Sequence, residues 1–510
     1  MPLDNNKRIA KNTLMLYIRQ ILILLVSLYT VRVVLDVLGI EDYGIYSVVG
    51  GIVSLFSFFS VTMSSATQRF FSFALGQNDF EKLKKIFIVN FIIYVVIAVV
   101  IFVLLESIGL WYVYERLNVP IERFESAYWI YHFSIFTFIA TMFSTPFVAI
   151  IIAHEDMKIY AYVSIADSIM KLCIVFLLKY LPWDKLELYG MLVFEVSVFI
   201  SLIYIVICVR KYKECQFKHF CWDKNLMREI IGFTGWTMFG QASTVARNQA
   251  VTILLNQMFN PTIVAAKAIA NNVTNAINMF SNSFNLGLYP PIIKLYAAGN
   301  KKEMFSLILR GSKMTFFLMW IFALPLFIEM EAILKIWLKN PPSETLLFTR
   351  LALLEVLINS VSLPITTAAR APGKMKVYEL TLGIIQIAIF IVSWIVLKLG
   401  AEAYSIFVIA IAANCLMFLV RLLIVRTLIG IPVRPFFIQV IFPIFFIILV
   451  SATLSFTTHW ILPSTFIFVF ISIFLSVIIS CGSMFFIGLK KLEREKVRKS
   501  ISIRIKKITN

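Results

Sequence analysis

Between Lys267 and Asn285 the sequence reads KAIANNVTNAINMFSNSFN, and its polar side chains are regularly spaced. Lys267, Asn271, Asn275, Asn278, Asn282 and Asn285 follow one another at intervals of four, four, three, four and three. On a helix those positions share one face. Such a row offers amide donors and acceptors to hydroxyl groups and an ammonium to an anion. In an apolar chain the row must face protein or a wet cavity, because amides turned to lipid find no partners. A single asparagine reads as helix–helix glue; five in register behind a lysine read as the lining of a polar cavity.

Other charged positions extend this chemistry. Arg247 lies among Gln241, Ser243, Thr244, Asn248 and Gln249, with no carboxylate three or four residues away, and Arg19 also lacks a local partner. Arg19, Arg247 and Lys267 are therefore candidates to bind an anion. Asn271, Asn275, Asn278 and Asn282, with Ser54 and Ser57 of an earlier apolar run, are candidates to bind hydroxyl groups. Asp167 and Lys171 form an i, i+4 pair, and with Glu195 and Glu355 they are candidates to couple an ion. Arg32 reads as paired with Asp36 or snorkelling, and Arg69 and Arg350 as snorkelling near span ends. Cys215, His219 and Cys221 lack a fourth ligand, and the histidines at 132, 154, 219 and 459 do not cluster, so no metal is expected. No nucleotide-binding G-x-x-x-x-G-K-[ST] loop occurs, and no cofactor is expected; an H⁺ or Na⁺ gradient or the membrane potential would supply the energy.

The elements that must position these residues follow from composition. Of 510 residues 60% are hydrophobic, 47 are Phe, and mean hydropathy is +0.88. A soluble fold cannot hide that much apolar surface, so the chain is an all-α polytopic membrane protein. Apolar runs of about 20 residues predict fourteen transmembrane helices between 13 and 488. The second spans 44–75, and the longest outer segments lie around 106–128 and 332–345. With the N-terminus in the cytoplasm, 33 of the 47 Lys and Arg fall on the cytoplasmic side, 7 on the other and 7 within spans. That bias places both termini in the cytoplasm. The net charge of +19 is then largely topological and implies no nucleic-acid partner. Within spans the seven basic residues outnumber three acids (Asp167, Glu195, Glu355), so any cargo is expected to be anionic.

The second apolar run repeats in the eighth, displaced by 221 positions: Ser54 falls on Asn275 and Ser57 on Asn278. Their sequels, ALGQNDFEKLKKIF (74–87) and AAGNKKEMFSLIL (297–309), also correspond. Six spans per repeat is even, so both halves enter the membrane in the same direction. The expected organisation is an N-terminal six-helix lobe (1–209), a basic cytoplasmic linker (210–229), a C-terminal six-helix lobe (230–430), two further helices (431–489) and a basic tail (490–510). In LGIEDYGIYS (38–47) Gly39 is expected at positive φ; in MFNPTIVAA (258–266) Asn260 and Pro261 make the matching turn.

These same stretches resemble a known family. Residues 11–87, residues 264–300 (VAAKAIANNVTNAINMFSNSFNLGLYPPIIKLYAAGN) and the lead-in DKNLMREIIGFTGW (223–236) are similar to polysaccharide exporters of the Wzx type. Those exporters share a superfamily with the lipid II flippases and the MATE drug and cation exporters. The L-G-x-E-x-Y-G-x-Y turn is the most specific part. The resemblance implies two pseudo-symmetric six-helix lobes plus two C-terminal helices that serve a lipid tail. It implies a flippase in the bacterial inner membrane that moves a polyprenyl-pyrophosphate-linked oligosaccharide outward for O-antigen or other lipopolysaccharide synthesis. Its partners would be membrane lipid, that anionic glycolipid and other polysaccharide assembly proteins. A MATE-type cation or drug antiporter is the alternative, against which the paucity of acids in the first span counts. A membrane glycan polymerase or ligase is a third reading, disfavoured by the short outer segments; the chain is not expected to be an enzyme.

Overall fold

The computed structural model describes residues 2–116, 120–216, 223–338, 341–463, 466–491 and 494–495. His219 and Cys221 of the cysteine–histidine motif, the centre of the 210–229 linker and most of the basic tail lie outside them. Every regular element among the described residues is helical.

Helix α1 (Pro2–Ser54) is interrupted at Gly39, whose φ of 84° and ψ of 171° belong to a region essentially restricted to glycine. Helix α2 (Ser57–Gln77) follows at a bend of 44°. The 44–75 run is thus broken at Leu55–Phe56 instead of forming one straight span. Gly50 and Gly51 weaken the helix there, and the Ser54 hydroxyl donates to Gly51 O at 2.8 Å, competing with the backbone ladder. Helix α3 (Phe80–Leu104) is capped by Asp79, which accepts from Lys82 N. It runs through a π-helical turn, Leu105–Gly109, into α4 (Leu110–Arg116). Helix α5 (Phe124–Ala153) comes next, so the segment expected outside the spans at 106–128 is largely helical. Helices α6 (Met157–Leu177) and α7 (Lys185–Lys211) follow.

Helices α8 (Lys224–Met258) and α9 (Pro261–Ala297) come next. Asn260 caps α9, accepting from Ile263 N at 3.0 Å, and Pro261 occupies its first turn, as the sequence predicts. Helix α10 (Lys301–Leu338) extends well into the segment expected outside at 332–345. Then follow α11 (Thr345–Arg370), α12 (Lys376–Lys398), α13 (Ser405–Ile429), the short α14 (Val433–Phe436), α15 (Phe442–Ile461) and α16 (Phe466–Ser483). Among the described residues eleven helices are long and apolar enough to cross a membrane, twelve with the bent pair around Leu55. Helices α8 and α9 are long enough as well, but their polar faces lower their hydropathy. With these two the number reaches fourteen.

Packing divides the chain into two compact units: Met1–Ala242 with Leu286–Asn300, and Ser243–Asn285 with Lys301–Asn510. Each therefore takes part of α8 and α9. In the first unit α5 lies along α7 and α1 along α6. The end of α9 is held there by specific contacts. Tyr289 OH donates to Ser65 O at 3.0 Å, and Lys294 Nζ lies 2.8 Å from Glu155 Oε1. Glu155, in the α5–α6 turn at φ 65°, also meets Arg8 at 3.0 Å. A Cβ on Gly76 would come within 2.6 Å of Lys294 O, so the approach of α9 to α2 needs that glycine.

In the second unit α10 packs on α11 and α16, α11 on α13, and α15 on α16. The C-terminal pair is integral to this unit. Ser472, Ser476 and Ser480 are buried along α16, where small side chains let helices approach closely. Trp320 Nε1 of α10 donates to Ser451 Oγ at 2.9 Å, and the buried Lys313 ammonium donates to Gly488 O at 2.6 Å.

Candidate functional site

The second unit holds seven of the candidates: Arg247, Lys267, Asn271, Asn275, Asn278, Asn282 and Glu355. Arg247 on α8 does have a carboxylate partner: Glu355 of α11, its Oε1 3.5 Å from Arg247 NH1. Asn414 of α13 donates to the same Glu355 oxygen at 3.0 Å and, at 2.8 Å, to Ala410 O. The unpaired arginine read from local spacing is thus one half of a largely buried, hydrogen-bonded ion pair. Its NH2 also reaches Asn248 Oδ1 at 2.8 Å. Lys267, 7% exposed, donates to Thr252 Oγ1 at 2.8 Å and to Asn248 O at 3.3 Å. Its partners are neutral, and it makes no ion pair among the described residues.

The asparagine row starts one turn beyond Lys267. Asn271, Asn275 and Asn282 are exposed, and Asn278 and Asn285 half-buried. Asn285 Oδ1 accepts from Thr367 Oγ1 at 3.4 Å. The packed side of α9 is made instead by Ala266, Ala270, Thr274, Ile277 and Ser281. Within this unit, then, the amides at 271, 275 and 282 are not glue. Helical periodicity has put the small and apolar residues inward and left the amide row open.

A second polar cluster forms inside the first unit. A cavity of about 380 Å³ opens between α1, α5, α6 and α7, and Arg19, Asp167 and Lys171 all line it. Lys171 Nζ lies 3.0 Å from Asp167 Oδ2, so these two neutralise each other one helical turn apart. Arg19 stacks its guanidinium over the Tyr160 ring at 4.3 Å. It makes no ion pair among the described residues, and its buried Nε has no hydrogen-bond partner.

Three candidates fall outside both clusters. Glu195 is exposed on α7, on the same face as the exposed Met191, Phe199 and Leu202, while its neighbours Ser197 and Ser201 turn into the cavity. Ser54 and Ser57 are exposed on either side of the break at Leu55–Phe56 and share no continuous helical face.

Several charges near span ends are bound more firmly than snorkelling implies. Arg69, its side chain 4% exposed, lies 3.4 Å from Glu229 and against the rings of Phe70, Phe73 and Phe233. Arg350 donates to Phe327 O at 3.0 Å. Arg32 and Asp36 are both exposed and form no ion pair among the described residues.

Sequence reading missed Glu329. Its side chain is 3% exposed on α10, accepting from Ser472 Oγ at 2.5 Å and meeting His459 Nδ1 at 2.6 Å. These groups border a second cavity of 370 Å³ with Lys335 and Arg350. Glu329 and His459 are 130 residues apart, and neither has a local pattern around it.

Comparison with known proteins bears on fold and family. The family model described as "Polysaccharide biosynthesis protein" matches residues 9–296, and the MatE family model matches residues 237–396. The chain matches none of the curated proteins. Among solved structures it is similar to an outward-facing multidrug resistance MATE family transporter of the MOP superfamily. There the TM-score is 0.71 at 13% identity, over 84% of this chain and 96% of that one. A MATE crystal structure in the bent conformation gives a TM-score of 0.73 at 12% identity, covering 83% and 96%. The Vibrio cholerae MATE transporter VcmN in the bent form gives 0.64 at 14% identity, covering 84% and 98%. Identities this low establish the shared transporter fold and nothing of cargo.

Proposed function

Because the chain belongs to the polysaccharide biosynthesis protein family, a family of multi-pass membrane transporters in the MOP superfamily, we propose that it flips a polyprenyl-pyrophosphate-linked oligosaccharide. The cargo would pass from the cytoplasmic to the outer leaflet of the bacterial inner membrane by alternating access. The observation that carries this reading is the charge balance of the two clusters. Their carboxylates, Asp167 and Glu355, are matched by Lys171 and Arg247, whereas Arg19 and Lys267 have no acidic partner among the described residues. Positive charge is left over, and it suits an anionic glycolipid.

The rest of the cargo needs hydrogen-bonding groups. An unpaired hydroxyl in hydrocarbon costs several kcal/mol, roughly 2–7 depending on the reference state. The open amides of Asn271, Asn275 and Asn282 supply such partners. With the cell interior negative, outward movement of an anion gains about 2.3 kcal/mol per charge per 100 mV. The membrane potential then suffices as a drive, and Asp167 or Glu355 would serve a coupled H⁺ or Na⁺ only by leaving its cation.

The MatE match over residues 237–396 supports a second reading, a cation or drug antiporter. In that case a carboxylate would be needed for the cargo, and the two in the clusters are engaged. Gene deletion decides between the readings. Loss of the exporter leaves lipid-linked glycan on the inner leaflet and strips glycan from the surface. Normal surface glycan together with sensitivity to cationic drugs would overturn the proposal in favour of the antiporter. Vesicles with the potential, the pH gradient and the Na⁺ gradient collapsed in turn identify the energy source.

A further inference from the structure

The serine and threonine hydroxyls around the cavity of the first unit share a property that its volume does not reveal. On α5, Thr141 donates to Thr137 O at 2.9 Å, and Ser144 and Thr145 donate to Thr141 O at 2.8 and 2.9 Å. On α6, Ser164 donates to Tyr160 O at 2.5 Å and Ser168 to Ser164 O at 3.1 Å. On α7, Ser197 donates to Val193 O and Ser201 crosses to Ala140 O, both at 2.9 Å. A hydroxyl has one hydrogen and two lone pairs. With every hydrogen committed to a backbone carbonyl, these seven groups offer the cavity acceptors and no donors.

The charged donors are the cations; the phenols of Tyr160 and Tyr204 also line the cavity, and Tyr204 OH lies 3.5 Å from Ser164 Oγ. Lys171 is neutralised by Asp167, which leaves Arg19 as the uncompensated charge, so the lining carries one net positive charge. A ligand that satisfies this lining must bring several O–H donors for the lone pairs and a negative group for Arg19. A simple inorganic anion leaves most acceptors unused. A cation meets the guanidinium, and a neutral polyol leaves it unmatched. At 380 Å³ the cavity lies within the ~300–1,000 Å³ range of small-ligand sites.

We infer that the cavity between α1, α5, α6 and α7 is a subsite for a single anionic sugar unit, one that carries a carboxylate or a phosphate on a hydroxyl-bearing ring. The biological source of that sugar rests on the transport reading above, as part of the carried glycan, but binding itself does not require transport. Arg19 holds the anionic group and the serine and threonine oxygens take the ring hydroxyls. Specificity for acidic over neutral sugars then resides in one residue of the first unit.

The test uses the purified full-length protein in detergent, with binding read by saturation-transfer NMR. The probes are methyl glucuronide, glucose 1-phosphate, methyl glucoside, glucosamine and inorganic phosphate. The expected order places one or both anionic sugars at least tenfold ahead of methyl glucoside and glucosamine, with inorganic phosphate a poor competitor. Whether the glucuronide or the sugar phosphate leads identifies the anionic group. Arg19→Gln reduces the anionic sugars to the level of methyl glucoside, Arg19→Lys keeps part of the preference, and Ser201→Ala weakens all sugars together. Thermal midpoints of the variants confirm folding, and should Arg19→Gln fail to fold, Arg19→Lys and Ser201→Ala carry the comparison.

Equal binding of charged and neutral sugars overturns the inference, as does an anionic preference that survives Arg19→Gln. Tight binding of inorganic phosphate with no contribution from the sugar would reduce the site to an anion site and overturn it too. The surface-glycan assay separates this failure from failure of the transport reading. Export that depends on the gene without sugar binding here discards only the subsite; sugar binding without gene-dependent export discards the flippase.

Discussion

Arg123 grips Asp42 with both arms of its guanidinium: Nε donates to Oδ1 at 2.8 Å and NH2 to Oδ2 at 2.5 Å. Its remaining nitrogen, NH1, lies 2.5 Å from Oδ2 of Asp184. Asp42 belongs to the L-G-x-E-x-Y-G-x-Y turn, whose glycine breaks α1, and Asp184 caps α7 by accepting from Leu186 N and Glu187 N. One arginine thus ties the turn after Gly39 to the starts of α5 and α7, and the aspartate that follows the motif's Glu41 has a structural task.

Arg123→Ala leaves two part-buried carboxylates facing each other. The group is about a quarter exposed, so solvent screening keeps the loss to about 1 kcal/mol. A lowered thermal midpoint in detergent, partly restored by Arg123→Lys, is the expected outcome. Full restoration by Lys would show that the two-armed geometry is immaterial.

The same clasp sets a pH limit. Burial alone raises Asp184, but the Arg123 guanidinium and the backbone N–H groups of Glu187 and Leu186 more than reverse this, holding its carboxyl below the usual value. A depressed carboxyl contributes stability that is complete above the unfolded value, about 4, and is lost as pH falls through the folded one. The clasp should therefore be indifferent to pH between 7 and 5 and weaken only below about 4. Thermal midpoints against pH for the native chain and Asp184→Asn check this; the acid-side fall should be shallower in the variant.

A third prediction concerns Glu155, whose side chain is 2% exposed and sits between Lys294 and Arg8. Removing Lys294 as Met leaves that carboxylate with less compensation in a site closed to water. Breaking a buried pair from one side costs about 3–5 kcal/mol. Lys294→Met should thus destabilise the first unit strongly, and Glu155→Gln in the same chain should recover much of the loss. A double variant no more stable than Lys294→Met alone would show that the Arg8 contact dominates.

How much of this could be read from the chain depends on the range of the interaction involved. Apolar runs and the displaced repeat are local patterns, so the helical membrane architecture was legible, as were Gly39 and the Asn260–Pro261 cap. The break at Leu55–Phe56 was not, since Ser54 and Ser57 look like members of one polar face until Ser54 is seen bonding its own helix. The extension of α3 through α4, and of α10 to Leu338, was hidden by Glu106, Arg116 and Lys335, which read as loop charges. In the clusters, Arg19 lacks a local carboxylate in the sequence and makes no ion pair among the described residues, its guanidinium lying on the Tyr160 ring. Arg247 looked the same in sequence and differs in structure, because Glu355 and Asn414 arrive from other helices. Glu329 with His459 was invisible for the same reason.

Arg247 and Glu355 provide the last prediction, because their pairing and a role in cargo binding have opposite genetic signatures. Their side chains are 13% and 18% exposed, and the 3.5 Å contact is supported by Asn414 on the carboxylate and Asn248 on the guanidinium. Arg247→Gln should cost about 3 kcal/mol by stranding Glu355, and Glu355→Gln a similar amount by stranding Arg247. If they act on each other, the double variant should be more stable than the sum of the single losses allows, with a coupling of roughly 0.5–3 kcal/mol. Thermal midpoints of the four proteins measure that coupling, and surface glycan measured in parallel reports the role. Recovery of export in the double variant would mean that Arg247 works by balancing Glu355. Stability recovered without export would return Arg247 to the cargo beside Lys267, whose partners Thr252 and Asn248 carry no charge to compensate it.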